Sequence, residues 1–247
     1  GFTLSAIIGT ITRFITGNYL NKNKDIENPL KISSLLSIFA SFCLIISKDS
    51  TLYIIGQLFV GASAGIYWPT AELSVPLLCN PIKTSKAYAL VRSSEALGIF
   101  LGVFTGSIFN SLIYFKANFI NDIICMIIII SLIQKDRVTI SKALNNFEIY
   151  IKKDILTSDN KWHKNTKIII ASIILLTTCL ALIQVTLPLD FVKGGISRVS
   201  ISKEITSYII SAQLILLFIL QWPIGNWLSK KNKFFGLKFS IINFGIS

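Results

Sequence analysis

Apolar runs of about 18 to 25 residues recur along the chain, and each is as long as a helix that crosses ~30 Å of hydrocarbon. They lie at 2–20, 30–47, 52–79, 87–115, 117–134, 168–189 and 205–228, and a partial run begins near 236. Only 15% of the residues are charged and 52% are hydrophobic, whereas soluble domains carry about 25% charged residues. The sequence therefore predicts an all-α membrane protein with seven complete transmembrane helices and a partial eighth.

The basic charges are distributed unevenly between the two sides of these predicted spans. The formal net charge is +12. If the loop after the first span is cytoplasmic, only Lys48, Lys116, Lys193, Arg198 and Lys203 fall outside, and the other basic residues, apart from Arg13 within a span, fall inside. Cytoplasmic loops of membrane proteins carry such an excess of Lys and Arg. The charge thus indicates orientation in the cell (inner) membrane and contact with lipid headgroups, and not binding to nucleic acid.

The longest break between apolar runs is the polar, basic stretch 135–167, which we predict to be cytoplasmic. Apolar side chains from Ile140 to Ile155 follow helical spacing on one side of it, which is typical of an amphipathic helix on a membrane surface. A partly disordered linker is the alternative. This stretch separates a predicted N-terminal bundle, 1–134, from part of a C-terminal bundle, 168–247.

The chain has no initiator methionine and stops within an apolar run. We interpret it as an internal piece that lacks at least one helix before it and several after it. Its cysteines, Cys43, Cys79, Cys125 and Cys179, each lie in or at the end of a span without C-x-x-C spacing. With no cluster of His or carboxylate residues nearby, we expect these cysteines to pack as small apolar residues, and we expect neither a metal nor a cofactor.

Three ionisable residues within the predicted spans form a candidate charge cluster. Glu72 lies about eight residues before the loop at 80–86, and Arg92 lies about as far after it, so at 1.5 Å per residue both are at similar depth. We therefore predict contact of Glu72 with Arg92, or of Glu72, Glu95 and Arg92 together. Because charges in the membrane are costly and often functional, the cluster is a candidate cytoplasmic-side gate. A static ion pair, or an arginine that reaches the headgroups, is the alternative.

One six-residue pattern occurs twice, each time where an apolar run ends in lysines. The copies are GNYLNK at 17–22 and GNWLSK at 225–230. Widely separated copies of one loop indicate a chain built from two related halves. In a membrane protein, this organisation is typical of transporters with internal repeats.

This pattern resembles the signature loop of the major facilitator superfamily, which follows the second helix of each of two six-helix bundles. The matching positions are Gly17 and Lys22 in the first copy and Gly225 and Lys230 in the second. Asn21 and Ser229 stand where the family has aspartate. The resemblance covers the whole chain, from the family's second helix to the start of its ninth. We expect the protein to be a monomer.

A second resemblance concerns the family's fourth and fifth helices. Gly61, Gly65, Trp68 and Pro69 resemble the fourth-helix pattern, and the run from Arg92 and Glu95 through Gly98, Gly102 and Gly106 resembles the fifth-helix motif. Glycines spaced by four let helix backbones approach closely. The resemblance implies that Gly98, Gly102 and Gly106 pack against the counterpart helix of the other bundle.

In the family, the first, fourth, seventh and tenth helices line a central cavity. The resemblance therefore implies that Gln57, Tyr67 and Gln184 contact substrate, and Gln213 is a weaker candidate on the following helix. Interhelical hydrogen bonding by these amides is an equally good interpretation. Arg13 is expected to reach toward the inner headgroups, and Asp122 and Asp190 are expected to be solvated near the outer ends of their helices.

The resulting hypothesis is a secondary active transporter that moves a small solute by alternating access, with coupling to H⁺ or Na⁺. The fourth- and fifth-helix pattern resembles drug-export members, which favours an efflux-type carrier. Uptake of a metabolite or sugar, and a transport-dead sensor or scaffold of the same fold, are the alternatives. A membrane-embedded enzyme would need paired carboxylates or a histidine cluster at a membrane face, and the sequence contains neither.

Overall fold

In the residues that the computed structural model describes, six complete helices follow the apolar runs. The described residues are 2–23, 25–78, 84–111, 114–135, 174, 175, 177, 178, 182, 186–194, 199–231, 235, 238, 239 and 242. The helices are α1 (Phe2–Asn23), α2 (Glu27–Ile46), α3 (Ser50–Leu78), α4 (Thr84–Ser111), α5 (Ala117–Lys135) and α6 (Lys203–Leu228). No strand occurs among the described residues.

Five of these six helices, α2 to α6, are long and apolar enough to cross a membrane. The helix α1 is long enough, at 22 residues, but Arg13 and several threonines lower its hydropathy. The predicted span 168–189 lies mostly outside the described residues, as does the partial span after 236. The all-helical membrane class is confirmed, whereas the full count of seven spans stays a prediction.

Local sequence explains where two helices begin. Asp25 precedes α2, and its Oδ1 accepts hydrogen bonds from the backbone amides of Glu27, at 3.0 Å, and Asn28, at 3.4 Å. This cap allows α2 to begin before the predicted position 30, because helix amides without a partner are costly. The side chain of Ser202 accepts from the amide of Ile205 and caps α6 in the same way.

Burial is arranged as in a protein surrounded by lipid. Large apolar side chains are exposed, and Phe14, for example, is 76% exposed. The buried positions include many small polar residues, among them Ser33, Ser34, Ser63 and Thr70. Membrane helices pack through small residues while large apolar groups face the lipid. The pattern agrees with the membrane assignment from the sequence.

The helix α3 packs on both α1 and α2, and α2 also packs on α5. Close approach of α1 and α3 depends on glycine: a Cβ atom at Gly65 would collide with Thr12 Oγ1 and the Gly9 carbonyl, and one at Gly9 would lie 3.0 Å from the Gly61 carbonyl oxygen. The fourth-helix glycines noted in the sequence are therefore explained by this crossing.

The helix α4 packs chiefly on α6 and touches α3 and α5 much less. Its Ser93 hydroxyl donates to the Phe218 carbonyl at 2.8 Å, and the Ala89 side chain fills the space beside Gly225. These contacts join the two sides of the predicted linker. The linker itself, and its amphipathic helix, lie outside the described residues beyond Lys135, so the domain division stays a prediction.

Candidate functional site: an ionic cavity between three helices

Arg92 forms ion pairs with two carboxylates from different helices. Its Nη2 lies 2.9 Å from Glu72 Oε1 on α3, and its Nη1 lies 2.7 Å from Glu95 Oε2 one turn further along α4. The planar guanidinium has donors in a fixed fork, so it can hold two acceptors at once. The structure thus forms the contact expected from the depths of these residues. We call Glu72, Arg92 and Glu95 the ionic cluster.

The ionic cluster lies where α3 and α4 have few other contacts. One of them is a hydrogen bond from the Tyr88 hydroxyl to the Glu72 backbone carbonyl at 3.1 Å. The side chains of Arg92 and Glu72 are 42% and 55% exposed, and that of Glu95 is 27% exposed. The pairing therefore links two helices without a large packed interface around it.

The ionic cluster forms part of the wall of a cavity of about 290 Å³. Trp68 and Pro69 of α3 and Arg13 of α1 complete the lining. Pro69 lacks an amide hydrogen to donate to the preceding turn, which loosens the helix at this point. Two arginines and two glutamates line one space, so their formal charges balance.

Arg13 is the member of this cavity that sequence reasoning missed. It was expected to reach the headgroups, whereas the structure places it in the cavity wall. Within the part of the chain that the structure describes, Arg13 has no ion pair, while Arg92 has two. The sequence did contain an indication of this position. Arg13 follows Thr12 directly, and Thr12 and Gly9 lie on the face of α1 that contacts α3. Arg13 therefore adds a second cation to the wall that also holds Glu72 and Glu95.

Of the predicted substrate-contacting residues, the structure describes Gln57, Tyr67 and Gln213, and none of these three lines the ionic cavity. Gln57 donates at 3.4 Å to the Tyr53 hydroxyl one turn earlier on its own helix. Tyr67 packs edge-on against Trp68 with ring centroids 5.6 Å apart, which puts it beside the cavity but not in its lining. Gln213 is exposed on α6, and Gln184 lies outside the described residues. The roles of these four residues stay predictions.

The two signature loops differ in their surroundings. No atom lies within 4 Å of the position of a Cβ at Gly17, whereas Gly225 abuts Ala89. Asn21 and Lys22 belong to the last turn of α1, and Ser229 and Lys230 follow α6, where the Ser229 hydroxyl donates to the Asn226 carbonyl at 2.8 Å. The first copy therefore lies wholly within α1, whereas α6 ends inside the second copy, and the two glycines have different neighbours.

A carboxylate is present near the first loop, four residues after Asn21. Asp25 Oδ2 accepts from the Tyr19 hydroxyl at 3.3 Å and from Asn28 Nδ2 at 2.6 Å, while Oδ1 caps α2. Asp25 thus fastens the end of α1 to the start of α2. The family resemblance, in which Asn21 takes the place of the aspartate, gave no indication of a role for Asp25.

Among the described residues, the fifth-helix glycines have no close neighbour. No atom lies within 4 Å of a Cβ placed at Gly98 or Gly102, and at Gly106 the nearest is Asn118 Oδ1 at 3.6 Å, an ordinary distance. At about 100° per residue, Gly98 and Gly102 lie about 140° and 180° around α4 from Ser93, which faces α6. In the described residues, α4 meets α6 through Ala89 and Ser93, and packing of Gly98, Gly102 and Gly106 against the other bundle stays a prediction.

Among the described residues, no group of three or more His, Cys, Asp or Glu side chains could hold a metal ion. Of the cysteines, Cys43 is buried and Cys125 is exposed, and both are free thiols. Cys79 and Cys179 lie outside the described residues. The lining of the cavity combines two arginines and two glutamates with Trp68 and Pro69.

Long apolar helices, an interior of small polar residues and an ionic cavity between helices define a multi-pass membrane protein. A family model of the Major Facilitator Superfamily matches residues 1–247. The chain belongs to this superfamily, whose members are membrane transporters that bind small molecules. Searches of curated proteins and of solved structures found no significant match.

Proposed function

We propose that this protein is a secondary active transporter that moves a small solute by alternating access, and that the ionic cluster is its cytoplasmic-side gate. The protein acts as a monomer in the cell membrane, with 135–167 in the cytoplasm, and coupling to H⁺ or Na⁺ supplies the energy. The observation that carries the proposal is the pairing of Arg92 with Glu72 across α3 and α4.

The location of this pair suits a contact that must form and break in each cycle. It links two helices that otherwise touch little. Opening the Arg92–Glu72 contact therefore requires no large loss of packing. Arg13 in the same cavity offers Glu72 a second cation when Arg92 leaves.

The direction we propose is efflux, because the fourth- and fifth-helix patterns resemble drug-export members. Trp68 at the cavity supplies the aromatic surface that a flat organic solute would contact. Uptake of a metabolite or sugar is the second candidate. A sensor or scaffold without transport is the third, and Asn21 and Ser229 in place of the family's aspartates favour it.

The gate is tested with the full-length protein in proteoliposomes. Glu72→Gln and Arg92→Gln are compared with Lys31→Gln, which removes the Lys31–Glu27 pair, at 2.6 Å, within α2. Ethidium serves as the efflux probe, and its movement is followed by fluorescence between pH 5.5 and 8.5. We expect both cluster variants to change the rate at least several-fold and to alter its pH dependence, while Lys31→Gln retains both.

Unchanged transport and unchanged pH dependence in both cluster variants would show that the cluster is a static pair. If the unmodified protein does not move ethidium, radiolabelled sugars and amino acids test uptake. A correctly folded protein that moves none of these probes would favour the sensor or scaffold.

A further inference from the structure

Asp122 on α5 was expected to be solvated, yet it is bound by two serine hydroxyls of α2. Ser41 Oγ donates to Asp122 Oδ2 at 2.6 Å, and Ser37 Oγ donates to the same oxygen at 3.2 Å. Ser41 is only 4% exposed, and Asp122 itself is half-buried. We call Ser37, Ser41 and Asp122 the serine–aspartate site. It is separate from the ionic cavity and shares no residue with it.

The orientation of these serines differs from that of their neighbours on α2. Ser33 and Ser34 both donate to the Leu30 carbonyl of their own helix, at 2.8 and 2.9 Å, which is the usual arrangement for serine within a helix. Ser37 and Ser41 instead donate across to α5. The two serine oxygens therefore lie close to a carboxylate oxygen between the two helices. Their hydroxyls donate to that carboxylate and not to a backbone carbonyl of α2.

The carboxylate lies within an apolar span and forms no ion pair with any lysine or arginine that the structure describes. Ser41 is five residues before the last residue of α2, and Asp122 is five residues after the first residue of α5, which puts both about 8 Å from their helix ends. No described lysine or arginine forms an ion pair with Asp122. Lys48 and Lys116, the nearest cations along these two helices toward the same end, are both exposed. A charge at this depth is costly unless it is neutralised.

We infer that the serine–aspartate site binds one Na⁺ ion. Small hard cations take oxygen ligands, and here a carboxylate and two hydroxyls supply three oxygens and one negative charge. Rotation of the serine hydroxyls would direct their lone pairs toward an ion beside Asp122 Oδ2. Use of this Na⁺ to drive transport rests on the proposed function, whereas its binding does not.

Binding is therefore measured without transport. The full-length protein in detergent is unfolded by heat in NaCl, KCl or choline chloride at equal ionic strength, and bound ²²Na⁺ is counted by equilibrium dialysis. At a Na⁺ concentration about 100-fold above Kd, linkage predicts a rise in Tm of about 5–10 °C. We expect about one Na⁺ per protein, saturable, with K⁺ and choline ineffective.

Asp122→Asn is expected to abolish the Na⁺-dependent rise in Tm, and Ser41→Ala to weaken Na⁺ binding at least 10-fold. Ser34→Ala, which alters only a hydrogen bond within α2, is the matched control and keeps the full effect. If Asp122 only fastens α2 to α5, Asp122→Asn lowers Tm equally in all three salts, and the inference is wrong. It is also wrong if the unmodified protein binds no Na⁺ or if Asp122→Asn retains the Na⁺ effect. A protein that binds Na⁺ but moves no solute would contradict the proposed function alone.

Discussion

Replacement of Gly65 by alanine tests whether glycine sets the distance between α1 and α3. A Cβ atom at Gly65 would collide with Thr12 Oγ1 and with the Gly9 carbonyl. The threonine can rotate away, but the Gly9 backbone cannot without a shift of the whole helix. Overpacking of this kind costs typically 1–3 kcal/mol, and the backbone contact puts Gly65 near the upper end.

The helical preference for alanine over glycine acts in the opposite direction and contributes about 1 kcal/mol. The expected net effect of Gly65→Ala is therefore a loss of about 2 kcal/mol in the free energy of unfolding. Gly102→Ala is the matched control, because no atom lies within 4 Å of its added Cβ. It gains the helical preference without the collision, so the two variants should differ by about 3 kcal/mol.

The assay is titration of the purified protein from dodecylmaltoside into SDS, with helix content followed by circular dichroism. The unmodified protein, Gly65→Ala and Gly102→Ala are compared at the same detergent composition. If Gly65→Ala is as stable as Gly102→Ala, the two helices do not depend on glycine for their approach. A loss of stability in Gly102→Ala would show instead that the exposed face of α4 carries a close packing partner.

Two further substitutions use the same titration. Asp25→Ala should lower the free energy of unfolding by about 1 kcal/mol because it removes the cap of α2. Asp25→Asn keeps an acceptor oxygen, so it should lose much less stability. Equal losses in the two variants would contradict the capping role. Ser93→Ala should cost about 1 kcal/mol because it removes the bond to the Phe218 carbonyl of α6. Ser94→Ala, which removes only a hydrogen bond within its own helix, is the control. If Ser93→Ala and Ser94→Ala lower stability equally, the Ser93–Phe218 hydrogen bond does not contribute to the packing of α4 on α6.

The sequence predicted the helices well because a helix that crosses the bilayer must be about as long as the hydrocarbon layer is thick. The length of each apolar run therefore identifies a helix. Errors at the ends have local causes. The helix α2 begins at Glu27 and not at 30, since Asp25 caps it, and α4 ends at Ser111 although the apolar run continues to 115. The contact between Glu72 and Arg92 was also predictable, because two helices joined by a short loop place residues equally distant from that loop at equal depth.

Contacts between helices that are distant in the chain could not be predicted in the same way. The approach of Arg13 to the cavity depends on how α1 is rotated against α3, and apolar periodicity is weak in a helix that lipid surrounds. The partners of Asp122 lie more than 80 residues earlier in the chain. For α4, the glycine spacing identified one face of small residues. The helix meets α6 through Ala89 and Ser93 on another face, whose residues are also small, so residue size alone could not tell the two faces apart.

The contact between Ser93 and Phe218 has a consequence for biosynthesis, because it joins residues 125 positions apart. When α4 leaves the ribosome, α6 has not yet been made, so the principal packing partner of α4 is missing. The Arg92–Glu72 pair spans only 20 residues and can form at once. We therefore expect this ion pair to retain α4 beside α3 during insertion, and Glu72→Gln to lower the yield of inserted protein in pulse-labelled cells even if the finished protein is equally stable.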